Sequence, residues 1–428
     1  MIRLAVLSAS VLAMAWVPGA QSTPWPLLGL WIAAFAAYGL AARSVRDLSP
    51  RAIWVGAIAL RMGLLGAAPS LSEDVYRYIW DGWVARNGVN TFAFAPAATE
   101  LTGLRTEWWE LINHPGIPTI YPPGAQIVFL VLAWIAPAWL LFKIAWVAAD
   151  LVVALLIGRL CGAPGPDRAP ANAISGLTGV APLLPVFLYL WNPLVLIEVA
   201  WSGHFEPVGI ALMLSAVLVV RSRAWLGGVL LGLGAAIKFA PLAAVPALFR
   251  RYGMLAAVLA VLTPGILYLP FLDAGSRLFE GLRTYADIWE FNAGLYWVMK
   301  VLPGPAELGR WLGAATVAGV ALFAGYRRVG LGTALYWTVG AGLLVSPTIH
   351  PWYVLWVLPF ASLYRARAWI LLTGTVFLAY GGRDAYLATG VWPEPVWLRL
   401  LIHGPVLALL AWDWRKSSRE EGADPPAA

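Results

Sequence analysis

Residues 72–82 read SEDVYRYIWDG and gather charge in a chain that elsewhere runs more than twenty residues without any. Asp74, Arg77, Tyr78 and Asp81 follow the i, i+3, i+4, i+7 spacing that sets side chains on one helix face, while Val75, Ile79 and Trp83 occupy another. This predicts an amphipathic helix lying at an apolar surface. A carboxylate at such a boundary meets water yet is partly desolvated, which raises its pKa and makes it a better proton acceptor. The same letters also describe a plain helix start, with Ser72 as N-cap and Glu73 and Asp74 favoured in the first turn by the helix dipole.

The surface in question is a membrane. The 428 residues are 61% hydrophobic and only 12% charged, against about a quarter charged in soluble domains. Fourteen apolar segments run from 3–17 to 396–413, and the main polar interruptions are 69–120 and 273–304. The expected fold is all-α and polytopic, with about 12–14 hydrophobic helices. Residues 1–413 form one transmembrane domain in this reading, 69–120 is a large outer loop bearing amphipathic helices, and 414–428 is a tail whose end, SSREEGADPPAA, is expected to be disordered. Residues 1–20 read either as a cleaved signal or as a first helix.

The net charge of +7 comes from short Arg and Lys clusters between apolar segments. That pattern orients a membrane protein and does not call for nucleic acid. With every cluster cytoplasmic, 225–249 must turn as a hairpin near Lys238 and Pro241, and 121–137 must dip or lie at the interface. Residues 69–120, 201–207, 273–304 and 346–353 then share the extracytoplasmic side, as one convergent site would require.

Lys238 interrupts an apolar segment, so it either faces protein, water or an anion, or snorkels at the hairpin tip. Asp150, also inside an apolar run, must be paired or protonated. The single cysteine, Cys161, rules out an internal disulfide, and four histidines without HxH or HxxxH spacing give no metal site.

Seven stretches, in chain order, resemble the C superfamily of integral-membrane glycosyltransferases, especially bacterial mannosyltransferases that use polyprenyl-phosphate sugars. They are SEDVYRYIWDG with GVNTFAFAP, INHPGIPTIYPP (112–123), WNPLVLIEVAWSGHFEP (191–207), GLGAAIKFAPL (232–242), FNAGLY (291–296) and HPWYVLWVLP (350–359). The resemblance implies an inverting transfer of a hexose, most simply mannose, with no cofactor and no metal, in the bacterial inner membrane on its extracytoplasmic side. The implied partners are a polyprenyl-phosphate sugar donor, a glycan or lipid acceptor, and membrane lipids. It also implies an acidic base near the start of the first large outer loop, Asp74 first and Glu73 second.

Arg77 and Lys238 are then the cations for the phosphate. Some related lipid-to-lipid sugar transferases carry KPP where this chain has YPP at 121–123, so Tyr121 brings no cation there. The remaining candidates for contacts with sugar or phosphate are Tyr78, Asp81, His114, Tyr121, His204, Glu206, Asn292, His350 and Tyr353. The rival class is a transporter or flippase that uses Lys238 and Asp150 as intramembrane binding groups. No repeated halves support it.

Overall fold

A computed structural model of the chain describes residues 1–17, 24–162 and 183–421. It is 78% helical, and the described residues contain no strand. Four helices are long and apolar enough to cross a membrane: Pro24–Ala42, Trp139–Gly162, Leu308–Tyr326 and Val396–Lys416. Two bent pairs, Leu183–Leu190 with Pro193–Trp201 and Met254–Leu267 with Leu269–Ile288, bring the total to six if each pair is one span. The chain is an all-α, multi-pass membrane protein.

Most of the other apolar segments also form helices, but short ones. Pro123–Ile135, Glu206–Val219 and Ala224–Ile237 have 13 or 14 residues. At about 1.5 Å per residue they reach only about 20 Å, well short of a bilayer core. Proline and polar residues stop them. The Ala224–Ile237 helix ends where Lys238 turns extended, and Pro241 then starts a 3₁₀ turn, Ala240–Ala244. The break falls at the expected residues, but the following helix, Val245–Tyr252, packs mainly on Leu308–Tyr326 and Met254–Leu267 instead of pairing back on Ala224–Ile237. The segment is therefore a broken helix and not a tight hairpin.

Two further expectations change. The last helix continues to Glu421, because Arg, Lys and Glu at 415–421 are good helix formers; residues 422–428, and 174–182 of the expected 174–192 segment, lie outside the described residues. The Asp74–Arg86 helix does not lie open on a surface. Trp80, Asp81, Gly82 and Val84 are buried along with Val75, Arg77, Tyr78 and Ile79. One side packs on Pro123–Ile135 so closely that a Cβ on Gly82 would come within 2.4 Å of the Phe129 carbonyl oxygen. The 3₁₀ turns Thr99–Leu104 and Glu107–Leu111 roof the other side, with Trp108 edge-on to Trp80. The alternating pattern marked a helix between two protein layers, each with its own polar groups.

Charges inside the bundle are paired. Arg61 Nε donates to Asp150 Oδ2 at 2.5 Å with both side chains fully buried, and Arg61 Nη1 also donates to the carbonyls of Ala57 and Leu190. Three helices meet at that ion pair, which settles how Asp150 is accommodated. Lys143, two turns earlier on the same Trp139–Gly162 helix, donates to the carbonyl oxygens of Leu64, Leu65 and Ala67 at 2.6–3.1 Å. It satisfies the open end of the Pro50–Leu65 helix.

Arg61→Met strands the Asp150 carboxylate in the core and is expected to cost about 3–5 kcal/mol. Thermal unfolding of the detergent-purified protein reads this as a lower midpoint. An Arg61→Met/Asp150→Leu double variant should recover most of the loss.

Candidate active site

The polar segments separated in sequence meet around one cavity of about 370 Å³. Its wall takes residues from 71–78, 113–122, 205–206, 237–239, 282–291, 350–353 and 380–392. Asp74 opens its helix at the lip of this space, with 17% of its side chain exposed. Asn113 Nδ2 donates to Asp74 Oδ1 at 2.7 Å, and the Tyr78 hydroxyl reaches Oδ2 at 3.5 Å. Glu73 also lines the cavity but stands at the N-cap, exposed and without a capping hydrogen bond; Ser72 Oγ instead accepts from the Asp74 N–H at 3.3 Å.

The cations sit on built supports. Lys238 Nζ donates to Glu206 Oε1 at 2.8 Å and lies 3.5 Å over the Tyr353 ring. Tyr353 and Tyr285 share a hydroxyl–hydroxyl bond of 2.6 Å. Arg77 donates through Nε to Asp81 Oδ1 at 2.9 Å and through Nη2 to the Ile117 carbonyl at 3.0 Å. Both cations line the cavity.

Asp81 is a fastening point. Its Oδ2 accepts from Thr119 Oγ1 at 2.6 Å and from Gln126 Nε2 at 2.9 Å, and it lies outside the cavity wall. With Arg77 it ties the segment 117–126 to the helix that presents Asp74. Asn292 is committed in the same way. Its backbone N–H donates to Glu394, its Nδ2 to the Ile349 carbonyl, and its own carbonyl accepts from His403 Nε2. It pins the outer loop to the 347–349 segment while its neighbour Phe291 faces the cavity.

Of the aromatic and imidazole candidates, Tyr78, Tyr121, His114, His350 and Tyr353 line the cavity, as does Glu206. His114 adopts φ 47° and meets Trp289 edge-on. His204 is fully buried behind the wall, in the loop that follows Gly203, whose φ of 84° lets the backbone turn there. Trp352 is sandwiched between two histidines, His204 at 3.9 Å and His350 at 4.4 Å. Their surroundings push them in opposite directions. Burial drives His350 down to about 3, helped by the positive charges of Lys238 and the other histidines. Burial also pulls His204 down, but the hydrogen bond and charge of Glu198, with Asp74 and Glu206 behind them, raise it above the ordinary value.

Several residues of the site and its support went unnoticed in the sequence. Asn113 stands beside His114 in the quoted INHPGIP, and only the fold shows that it reaches Asp74. Glu198 lies in an apolar run as Asp150 does, and the same reasoning about buried charge would have singled it out. Tyr380, Tyr386 and Trp392 come from a stretch that reads as membrane segment and linker. Among the described residues no group of three or more His, Cys, Asp or Glu side chains is placed to hold a metal ion.

The family model for the alpha-(1->6)-mannopyranosyltransferase N-terminal domain matches residues 4–254. The chain belongs to this family. The match spans Asp74, Arg77, His204, Glu206 and Lys238, and it makes the protein a hexosyltransferase that moves mannosyl units from a sugar donor to a glycan acceptor. No curated protein matches the chain. The transporter alternative loses its class, and Asp150, one of its two groups, is bound to Arg61.

Asp81→Ala leaves the Arg77 guanidinium buried without its carboxylate and frees Thr119 and Gln126. It is expected to cost about 3–5 kcal/mol and to raise protease sensitivity of the 105–120 loop, as limited proteolysis would show.

Proposed function

We propose that this mannosyltransferase takes its sugar from a polyprenyl-phosphate donor, with Asp74 as the base, on the extracytoplasmic face of a bacterial inner membrane. The observation that carries the reading is the Asp74 carboxylate at the cavity lip, oriented by Asn113, with the Lys238 ammonium on the wall of the same cavity. A base and a phosphate cation share one space.

Asp74 takes the proton from the acceptor hydroxyl as that oxygen attacks the anomeric carbon. The bond from that carbon to the phosphate oxygen breaks, and polyprenyl phosphate departs with the electron pair. An ammonium has three donors; Lys238 spends one on Glu206 and offers the others to phosphate oxygens. Arg77 adds positive charge beside the base. Phosphate is already a good leaving group, so stabilising its charge matters more than protonating it. Attack opposite the leaving group inverts the sugar, which yields the α linkage in the family's name from a β-linked donor.

Asp74 is preferred to Glu73 because its carboxylate is held by the Asn113 side chain, whereas Glu73 makes no capping hydrogen bond at the helix start. Apolar side chains on the cavity wall, among them Leu71, Ile237, Phe239 and Leu282, suit the first isoprene units of a lipid donor. The outer placement follows from the arginine clusters, which fall between spans away from the segments that build the site.

Membranes containing the full chain are to be assayed for transfer from radiolabelled polyprenyl-phosphate mannose with EDTA throughout. Asp74→Asn should lower turnover by about 10²–10⁴-fold while the protein still inserts; near-normal turnover would move the base to Glu73 or elsewhere. Wild-type transfer from a nucleotide sugar but not from the lipid donor would overturn the donor class. Lys238→Met should raise KM for the donor more than it lowers kcat; an unchanged KM would remove Lys238 from phosphate binding.

A further inference from the structure

Glu198 sits fully buried in the π-helical turn Leu196–Trp201. A carboxylate in an apolar core must be hydrogen-bonded or neutralised. Its Oε1 accepts from the Tyr380 hydroxyl at 3.0 Å; its Oε2 has no hydrogen-bond partner and lies 3.0 Å from Nδ1 of His204 as a charge contact. The same Nδ1 is 3.1 Å from the Glu198 carbonyl oxygen. Only acceptors surround that nitrogen, so it carries a hydrogen.

The other ring nitrogen, Nε2, is buried with no hydrogen-bond partner and faces Asp74 Oδ2 at 3.8 Å. The imidazole thus stands between two carboxylates, one sealed in the core and one at the cavity lip. Trp352 stacks on the ring and fixes its plane. A π turn inserts an extra residue into a helix and is common at functional sites. Here it brings Glu198 beneath a histidine six residues later.

Resting on Asp74 as the base, we propose that Glu198 is a positioning residue of the transfer site: through His204 it holds an N–H donor, Nε2–H, against the back of the Asp74 carboxylate. Asn113 donates to one carboxylate oxygen, the Tyr78 hydroxyl at 3.5 Å and His204 Nε2 at 3.8 Å flank the other, and the remaining lone pairs are left for the acceptor hydroxyl.

With Nδ1–H directed at Glu198, only the doubly protonated ring supplies a second N–H at Nε2. The charged groups around the ring favour that form. The carboxylates of Glu198, Asp74 and Glu206 raise its proton affinity, burial pushes His350 across Trp352 toward its neutral form, and Lys143 brings only its aliphatic stem, 3.1 Å from where a Cβ on Gly203 would be. The Lys143 ammonium is turned away onto the carbonyls of 64–67. Lys238 is occupied by Glu206. Burial opposes the cation, and the carboxylates outweigh it.

The test is the pH profile of mannosyl transfer by the full chain in membranes. Wild type should lose activity on the alkaline side as His204 gives up its proton. Glu198→Gln keeps the size of the side chain but removes the charge that supports the cation, so the alkaline limb should move to lower pH by about one unit, and Glu198→Asp should restore part of that shift. At the alkaline edge this is a tenfold loss of rate. A Glu198→Gln profile of unchanged shape, at full or uniformly reduced rate, would overturn the proposal, since a merely structural residue gives that result. If Glu198→Gln fails to accumulate, His204→Gln serves instead: the alkaline limb should vanish, and its persistence would overturn the proposal. Asp74→Asn run alongside separates the two readings. An active Asp74→Asn enzyme removes the base assignment itself, whereas an inactive one with an unshifted Glu198→Gln profile removes only the role of Glu198.

Discussion

Lys143 is the constraint from which the site is built. Its ammonium is buried, so it requires partners, and it finds them in three carbonyls where the Pro50–Leu65 helix ends. That fixes the first residues of the path from this helix to Asp74. Trp201 Nε1 then holds the Ala68 carbonyl and Arg383 Nη2 the Ser70 carbonyl, so most of the path is pinned before Asp74. The Lys143 stem also meets Gly203, which packs on Val75 of the Asp74 helix. One side chain therefore sets both the segment that presents Asp74 and the loop that presents His204. Because Asp150 lies two turns further along the same helix and is locked to Arg61, Lys143 has little freedom to drift. A rigid transmembrane element with two paired charges is well suited to hold a site made otherwise of loops.

This explains which parts were legible beforehand. Composition and apolar run length are sufficient for an all-α membrane protein, because the bilayer admits few other solutions. The positions of Asp74, Lys238 and Glu206 on one cavity were also within reach, since charged residues at breaks between apolar runs have few places to go. Topology by itself brings such breaks together.

What stayed hidden depends on pairing across the fold. Nothing in the spacing of residues 74–81 distinguishes a polar face that meets water from one that meets Thr119 and Gln126, as Asp81 does. Asn292 reads as a ligand until Glu394 and His403, a hundred residues away, are seen to use its backbone groups. The partner of Asp150 was equally obscure, because Arg61 sits in an apolar stretch that looks like lipid-facing helix. The sequence predicts that residues 121–137 dip or lie at the interface, and the 13-residue helix Pro123–Ile135 is short for a span; its close seat on Gly82, which only the fold shows, packs it on the Asp74 helix.

The two histidines on Trp352 show how neighbours turn one residue type to opposite uses. Both rings stack on the same indole within about half an ångström of the same distance, 3.9 and 4.4 Å. His204 has carboxylates at its edges and favours the cation; His350 has Phe291 on its other face and Lys238 as its charged influence, and it stays neutral. The indole thus separates a charged layer beneath Asp74 from an uncharged aromatic wall of His350, Phe291 and Tyr353. Such a wall offers faces to the C–H groups of a sugar ring without competing for the phosphate. The Lys238 ammonium over Tyr353 lies at its border. A mannosyl phosphate has the same division, a ring with apolar faces joined to a charged group. For the proposed donor the cavity matches ring to aromatic wall and phosphate to Lys238, because desolvation makes each misplaced charge costly.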